Sequence, residues 1–256
     1  MFETFKILDH QGKQFIPVLD NAKTPSVFRG RAEISDAPCP EGCTACVDLC
    51  PTDAIQLNPL RLDHGFCVNC NECAASCPAD KFKFTNDHKF ATNVRERLIV
   101  YEGKSTPIRI DQSQIRKEIQ SVFGRSFKLR QVSAAGDNST EMELNAGDNV
   151  NFDMSRYGIE WVASPRHADA IVISGPISQN MAEALEIAYQ ATPDPKVVIL
   201  AGVDAISGGI FAGSPALDRS FLDRHKVDLY IPGNPIHPLT LVLGLLELTG
   251  RLKRND

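Results

Sequence analysis

Two cysteine runs, CPEGCTACVDLCP at residues 39–51 and CVNCNECAASCP at residues 67–78, hold all eight cysteines of this chain. The first places Cys39, Cys43, Cys46 and Cys50 ahead of Pro51, in the spacing C-x3-C-x2-C-x3-C-P. The second places Cys67, Cys70, Cys73 and Cys77 ahead of Pro78, in the spacing C-x2-C-x2-C-x3-C-P. Three thiolates on a tight loop, closed by a fourth from a following helix, suit a compact soft-metal core. The extra residue makes the first loop bulge. Zinc ribbons use paired C-x2-C units, not triplets each followed by x3-C-P. Disulfides need an oxidising compartment, and MFETFKILDHQGKQF at the N-terminus has neither the basic nor the apolar part of an export signal. Two 4Fe–4S clusters are the expected cofactors.

The second run resembles the bacterial ferredoxin pattern without deviation, and in that pattern the fourth cysteine of each run ligates the other cluster. The resemblance implies Cys39, Cys43, Cys46 and Cys77 around one cluster, and Cys67, Cys70, Cys73 and Cys50 around the other. It also implies an α+β ferredoxin-like domain at residues 39–86 with internal two-fold symmetry. Short strands are expected at 54–57 and 81–84, one after each fourth cysteine. Such a unit buries little apolar area, so its clusters supply much of its stability.

The whole chain, 256 residues long, has room for two modest domains. Its net charge of -5 argues against nucleic acid as a partner. LTLVLGLLEL at 239–248 is too short to span a bilayer. A soluble protein of a reducing compartment is expected, able to dock on a membrane partner. Residues 1–38 read as a leader packing on the cluster domain, with a hairpin around Gln11 and Gly12. Residues 87–130 read as a connector. In it, DQSQIRKEIQSVFG has Asp111 as N-cap, Gln114 completing a capping box and Gly124 past the end. Ile115, Ile119, Val122 and Phe123 share its apolar face.

Residues 131–256 read as an α/β domain. AIVISG (170–175), KVVILAG (196–202) and DLYIPG (228–233) are β-branched runs ending in glycine, as buried parallel strands do. QNMAEALEIAYQA (179–191) and LTLVLGLLEL alternate with them as helices, which implies a doubly wound parallel sheet. Its functional crevice lies at the carboxyl ends of the strands. Those ends carry GPIS (175–178), GVDAISGG (202–209) and GNPIHP (233–238). No Ser-His-Asp order, phosphate loop or dinucleotide fingerprint occurs, so no catalytic residue is assigned. Trp161 and His167 read as structural residues.

GRSFKLRQVSAAGD, SRYGIEWVASPRHADAIVISGPISQNM, PKVVILAGVDAISGG and VDLYIPGNPIHP then carry a second resemblance. They are similar, in order, to the small electron-transfer subunit of membrane-bound nickel–iron hydrogenases. That family includes formate hydrogenlyase and the proximal-cluster subunit of respiratory complex I. The resemblance spans about residues 124–250 and implies a flavodoxin-like fold. FRGRAEIS and the cysteine runs resemble the two-cluster ferredoxin subunit of the same complexes, so the chain looks like a fusion of the two. Implied partners are a hydrogenase-like or complex I-like large subunit, ion-translocating membrane subunits and a soluble ferredoxin-type donor. Arg156, Arg166 and His167 fall in segments resembling the family's large-subunit interface. The implied location is the cytoplasmic side of the inner membrane, held peripherally through partners.

One departure matters. In the family four further cysteines hold a proximal 4Fe–4S cluster, and the flanking motifs align them with Asp137, Thr140, Asp204 and Asn234. Oxygen and amide groups are poor ligands for a thiolate-dependent cube, so this cluster is expected to be absent. Oxygen coordination of Mg or Ca is conceivable there. The favoured reading is a set of polar residues lining a vacated pocket. Two functions stay open: an electron-transfer subunit with two clusters, or a scaffold linking a large subunit to a membrane partner, its ferredoxin half a redox sensor or staple.

Overall fold

The structure, a computed structural model, describes residues 2–252, so Met1 and residues 253–256 of the expected leader and C-terminal domain lie outside it. A helix, α1 (Phe2–Gln11), takes the place of the expected hairpin. Phe2, Phe5 and Leu8 recur at three-residue steps, a helical period, and Gly12 leaves the helix at φ +61°. The leader then divides: residues 24–38 pack on the cysteine half as expected, through β1 (Ala32–Ile34) and the Arg29 contact with the Cys70 carbonyl, while residues 16–22 pack on the C-terminal half. The Ile16 amide donates to the Asn151 carbonyl at 2.9 Å. The Arg156 guanidinium donates to the Ile16 carbonyl at 2.6 Å, and Leu19 is buried in the C-terminal core.

The cysteine half is built from β1 (Ala32–Ile34), α2 (Ala45–Asp48), β2 (Ile55–Gln56), β3 (Arg61–Asp63), α3 (Glu72–Ala75), β4 (Phe82–Phe84) and β5 (Ile99–Tyr101). The strands expected after each fourth cysteine are β2 and β4. β4 pairs antiparallel with β1, and β2, β3 and β5 form a second antiparallel sheet. The two runs repeat each other in backbone detail. Asp53 and Asp80, each three residues after a fourth cysteine, are left-handed at φ 52° and 47°. Gly42 and Asn69, each just before a second cysteine, are left-handed at φ 68° and 54°.

Asp111 caps only a short 3₁₀ turn, Gln112–Gln114, its carboxylate accepting from the Ser113 amide. The helix proper, α4 (Lys117–Phe123), starts after Arg116. Arg116 is extended because its guanidinium is drawn into a bidentate pair with buried Asp228, both contacts at 2.9 Å. Ile119 and Phe123 are buried as expected, while Val122 faces solvent.

The C-terminal half comprises β6 (Phe127–Ser133), α5 (Ser139–Ala146), β7 (Ile159–Trp161), β8 (Ala170–Ser174), α6 (Gln179–Ala191), β9 (Val197–Ala201), α7 (Val203–Ser207), α8 (Ser220–Arg224), β10 (Leu229–Ile231) and α9 (Pro238–Leu248). Five parallel strands lie in the order β10-β9-β8-β6-β7. Read from β7, this is the 2-1-3-4-5 order of doubly wound folds, with its switch point between β6 and β8. Every residue of β8 and β9 is buried, because helices cover both faces. Val172 and Ile199 face a core with Leu144 and α9. Ile171 and Val198 face one that includes Leu185 and Phe221 and runs on into Leu62 and Phe82 of the cysteine half.

The most apolar segment, α9, is buried along its whole length and serves as a core helix. Residues 88–92 join the halves. Thr240 on α9 donates its hydroxyl to the His88 carbonyl at 2.7 Å, and Thr92 pairs antiparallel with Tyr230 of β10. Gly244 permits this approach, since a Cβ there would lie 2.8 Å from that of Ala91.

Candidate functional site

The eight thiols sort into two small cavities, four to each. Cys39, Cys43, Cys46 and Cys77 line one, walled by Leu60 and Phe82. Cys50, Cys67, Cys70 and Cys73 line the other, walled by Ile55 and Leu62. Helix α2 ends just before Cys50 and α3 just before Cys77, so each short helix delivers its last cysteine across to the other run's loop. Both delivered sulfurs accept a backbone amide four residues on, Ala54 to Cys50 at 3.2 Å and Lys81 to Cys77 at 3.4 Å. The Asn69 amide approaches the Cys67 sulfur at 3.4 Å.

Burial pushes the Cys67 thiol up to about 12, with Cys73, Cys50 and Cys70 adding to the rise. Cys73 also reaches about 12, through burial and then Cys70 and Cys50. Burial raises Cys46 too, followed by Cys77, Cys39 and Cys43. Thiols so placed ionise together when a cationic core sits among them, since a coordinating thiol is deprotonated outright. Among the described residues no three His, Cys, Asp or Glu side chains are arranged to hold one metal ion. Four soft donors, apolar walls and amide–sulfur hydrogen bonds fit one 4Fe–4S cluster per cavity.

The four positions aligned with a further cluster lie at the carboxyl edge of the parallel sheet. Asp137 is exposed before α5, and its carboxylate accepts from the amide and hydroxyl of Ser139 at 2.9 and 2.6 Å, which lowers its pKa. Thr140 is buried in the first turn of α5, its hydroxyl 2.8 Å from where a Cβ on Gly202 would stand. Asp204 lies in the first turn of α7, its carboxyl raised by burial, then by Asp137 and Glu141. Asn234 follows Gly233, whose carbonyl accepts from the Val203 amide at 3.0 Å, and it lines a cleft with Val68 and Asn69 of the second cysteine loop. The set offers oxygen and amide groups and no thiolate, so it does not fit a 4Fe–4S cluster.

Sequence reasoning passed over Glu141, which is only 5 % exposed. It accepts from Ser133 at 2.7 Å and Ser174 at 2.9 Å, at the switch point between β6 and β8. No motif marks it, because a glutamate three residues after Asn138 reads as half of a capping box. Arg156 is taken up inside the chain, also donating to the Tyr157 hydroxyl at 2.8 Å. Arg166 and His167 are exposed on a short turn, and Trp161 packs on the sheet core.

Residues 138–248 match the family of the NADH ubiquinone oxidoreductase 20 kDa subunit. The chain is 32% identical over 148 residues to a probable membrane-bound hydrogenase subunit of Pyrococcus furiosus, a match covering 56% of this chain and 88% of that one. It is 32% identical over 154 residues to formate hydrogenlyase subunit 7 of Escherichia coli, covering 59% and 60%. It is 37% identical over 115 residues to an NADH-quinone oxidoreductase subunit of Herpetosiphon aurantiacus, covering 44% and 64%. The chain thus spans less than two thirds of the latter two. With the parallel sheet and its carboxyl-edge loops in the matched region, the chain belongs to the NADH ubiquinone oxidoreductase 20 kDa subunit family.

Proposed function

We propose that this chain is an iron–sulfur electron-transfer subunit of a membrane-associated, hydrogenase-like or complex I-like oxidoreductase complex. In this reading a two-cluster ferredoxin-like half is fused to a small-subunit-like domain that holds no cluster. The observation carrying it is the sorting of eight cysteines into two cavities of four. The relatives' names support the class of complex. Partners would be a large subunit, ion-translocating membrane subunits and a soluble ferredoxin-type donor. Among the described residues no helix is long and apolar enough to cross a membrane, so attachment at the inner face would run through those partners.

A bound 4Fe–4S cluster supplies one-electron transfer at low potential. The chain's own residues hold the sulfurs, exclude water with Leu60, Leu62 and Phe82, and stabilise sulfur charge through the Ala54, Asn69 and Lys81 amides. Lys81 adds a cation beside the first set only. Burial alone would lower its ammonium pKa, but Glu102 and Cys39 hold it above the ordinary range. Lys81→Met is expected to make the first cluster harder to reduce by tens of millivolts and to leave the second in place. A redox titration followed by EPR reads this, and two unchanged potentials would remove Lys81 from the account.

The scaffold reading keeps one observation in its favour, the absence of any cysteine after Cys77. In the assembled complex, clusters that reduce and reoxidise during turnover with a soluble donor would establish relay. Clusters that stay redox-silent would establish the scaffold.

A further inference from the structure

We propose that the crevice at the switch point between β6 and β8 is a proton-binding site, centred on the Asp204 Oδ1 oxygen and held by the negative charge of Glu141. The site stands on two buried carboxylate oxygens without hydrogen-bond partners, Oδ1 of Asp204 and Oε2 of Glu141. Glu141 is more than nine-tenths buried and deep in the crevice, its other oxygen taken by the Ser133 and Ser174 hydroxyls. A buried carboxylate oxygen with no donor is costly, and two that repel each other are costlier.

The cation that could relieve them is turned away. Arg219 spends its guanidinium on backbone carbonyls of Pro176, Asp204, Ala205 and Ile206, at 2.8–3.2 Å. The charged groups acting on Asp204 are Asp137 from the loop before α5, Glu141 from α5 and Arg219 from the segment before α8. β8 and β9 present only neutral side chains to α7. Burial, Asp137 and Glu141 raise the Asp204 pKa, and Arg219 offsets part of the rise. Gly209 packs directly on the carboxyl, since a Cβ there would fall 1.9 Å from Oδ1. Uptake forms one O–H bond on Asp204, with the proton drawn from water.

Infrared titration of the full iron-loaded chain tests this, through the carbonyl band of protonated carboxyl groups. A component should persist to higher pH than the bulk of the chain's carboxyls and be lost in Asp204→Asn. In Glu141→Gln the component should remain and its midpoint should move to lower pH. Iron content, measured in parallel, should stay unchanged in both variants, which separates this site from the cluster reading. The proposal fails on any of three results: no late-titrating component, one that survives Asp204→Asn, or an unmoved midpoint in Glu141→Gln. It also fails if magnesium or calcium ions displace the band at constant pH. Should Asp204→Asn not fold, the wild-type and Glu141→Gln titrations still decide.

Discussion

Cys70→Ala is expected to remove an entire cluster, taking iron from about eight to about four atoms per chain. Three remaining thiols at that cavity, Cys50, Cys67 and Cys73, would be left buried or half-buried among Ile55 and Leu62. The damage should spread beyond the loop. Cys50 belongs to the first run, and its sulfur organises the turn into β2 through the Ala54 amide. The Cys70 carbonyl accepts from Arg29 at 2.8 Å, which ties the leader to the same loop. For a small unit of this kind, the free energy of cluster binding is folding free energy. Its loss is comparable with the roughly 5–15 kcal/mol that stabilises a whole domain. Limited proteolysis should cut within residues 39–86 while the parallel-sheet half resists. Full iron content, or unchanged protection of residues 39–86, would contradict this.

Acidification gives the second large effect, through His64. The ring is buried between β1 and Phe90, with Nε2 accepting from the Ala32 amide at 3.0 Å and the ring centroids of His64 and Phe90 5.3 Å apart. Burial lowers its pKa from 6.5 to about 4, and Arg31 adds to this while Asp63 and Asp87 oppose it. Between these values the unfolded chain binds a proton that the folded chain refuses, so stability falls as pH falls from 6.5 through about 4. At about 1.4 kcal/mol per unit, the loss is on the order of 3 kcal/mol. Glutamine can still accept from the Ala32 amide but does not titrate. Denaturant unfolding at several pH values should therefore show a steeper loss for the wild type than for His64→Gln. Equal slopes would mean that His64 is solvated and ordinary.

The cysteine spacing carried most of what could be read of the front half, because ligand geometry leaves few arrangements for eight thiols. The cores of β8, β9, β10 and α6 were equally legible, being apolar runs cut by glycine. β6 was not singled out as a strand, although it sits at the switch point of the sheet. Lys128 and Arg130 interrupt its apolar residues, and Lys128 faces Glu160 on β7 at 2.6 Å. The start of α4 moved because Arg116 reaches a partner 112 positions away, which no local capping rule contains. Glu141 was hidden for the same reason: Ser133 and Ser174, whose hydroxyls donate to it, come from two different strands. The helix α1 was misread as a hairpin because glycine after glutamine is a turn signal and a helix terminator alike.

Iron, sulfide and zinc analysis of the purified chain, with EPR of the reduced form, tests the central claim most directly. Two thiolate-bound cubes predict about eight iron, negligible zinc and the spectrum of one interacting pair. Asp204→Ala should keep all of that iron. About twelve iron or a third signal would place a cluster among Asp137, Thr140, Asp204 and Asn234, and zinc in the cysteine half would contradict the account at its base.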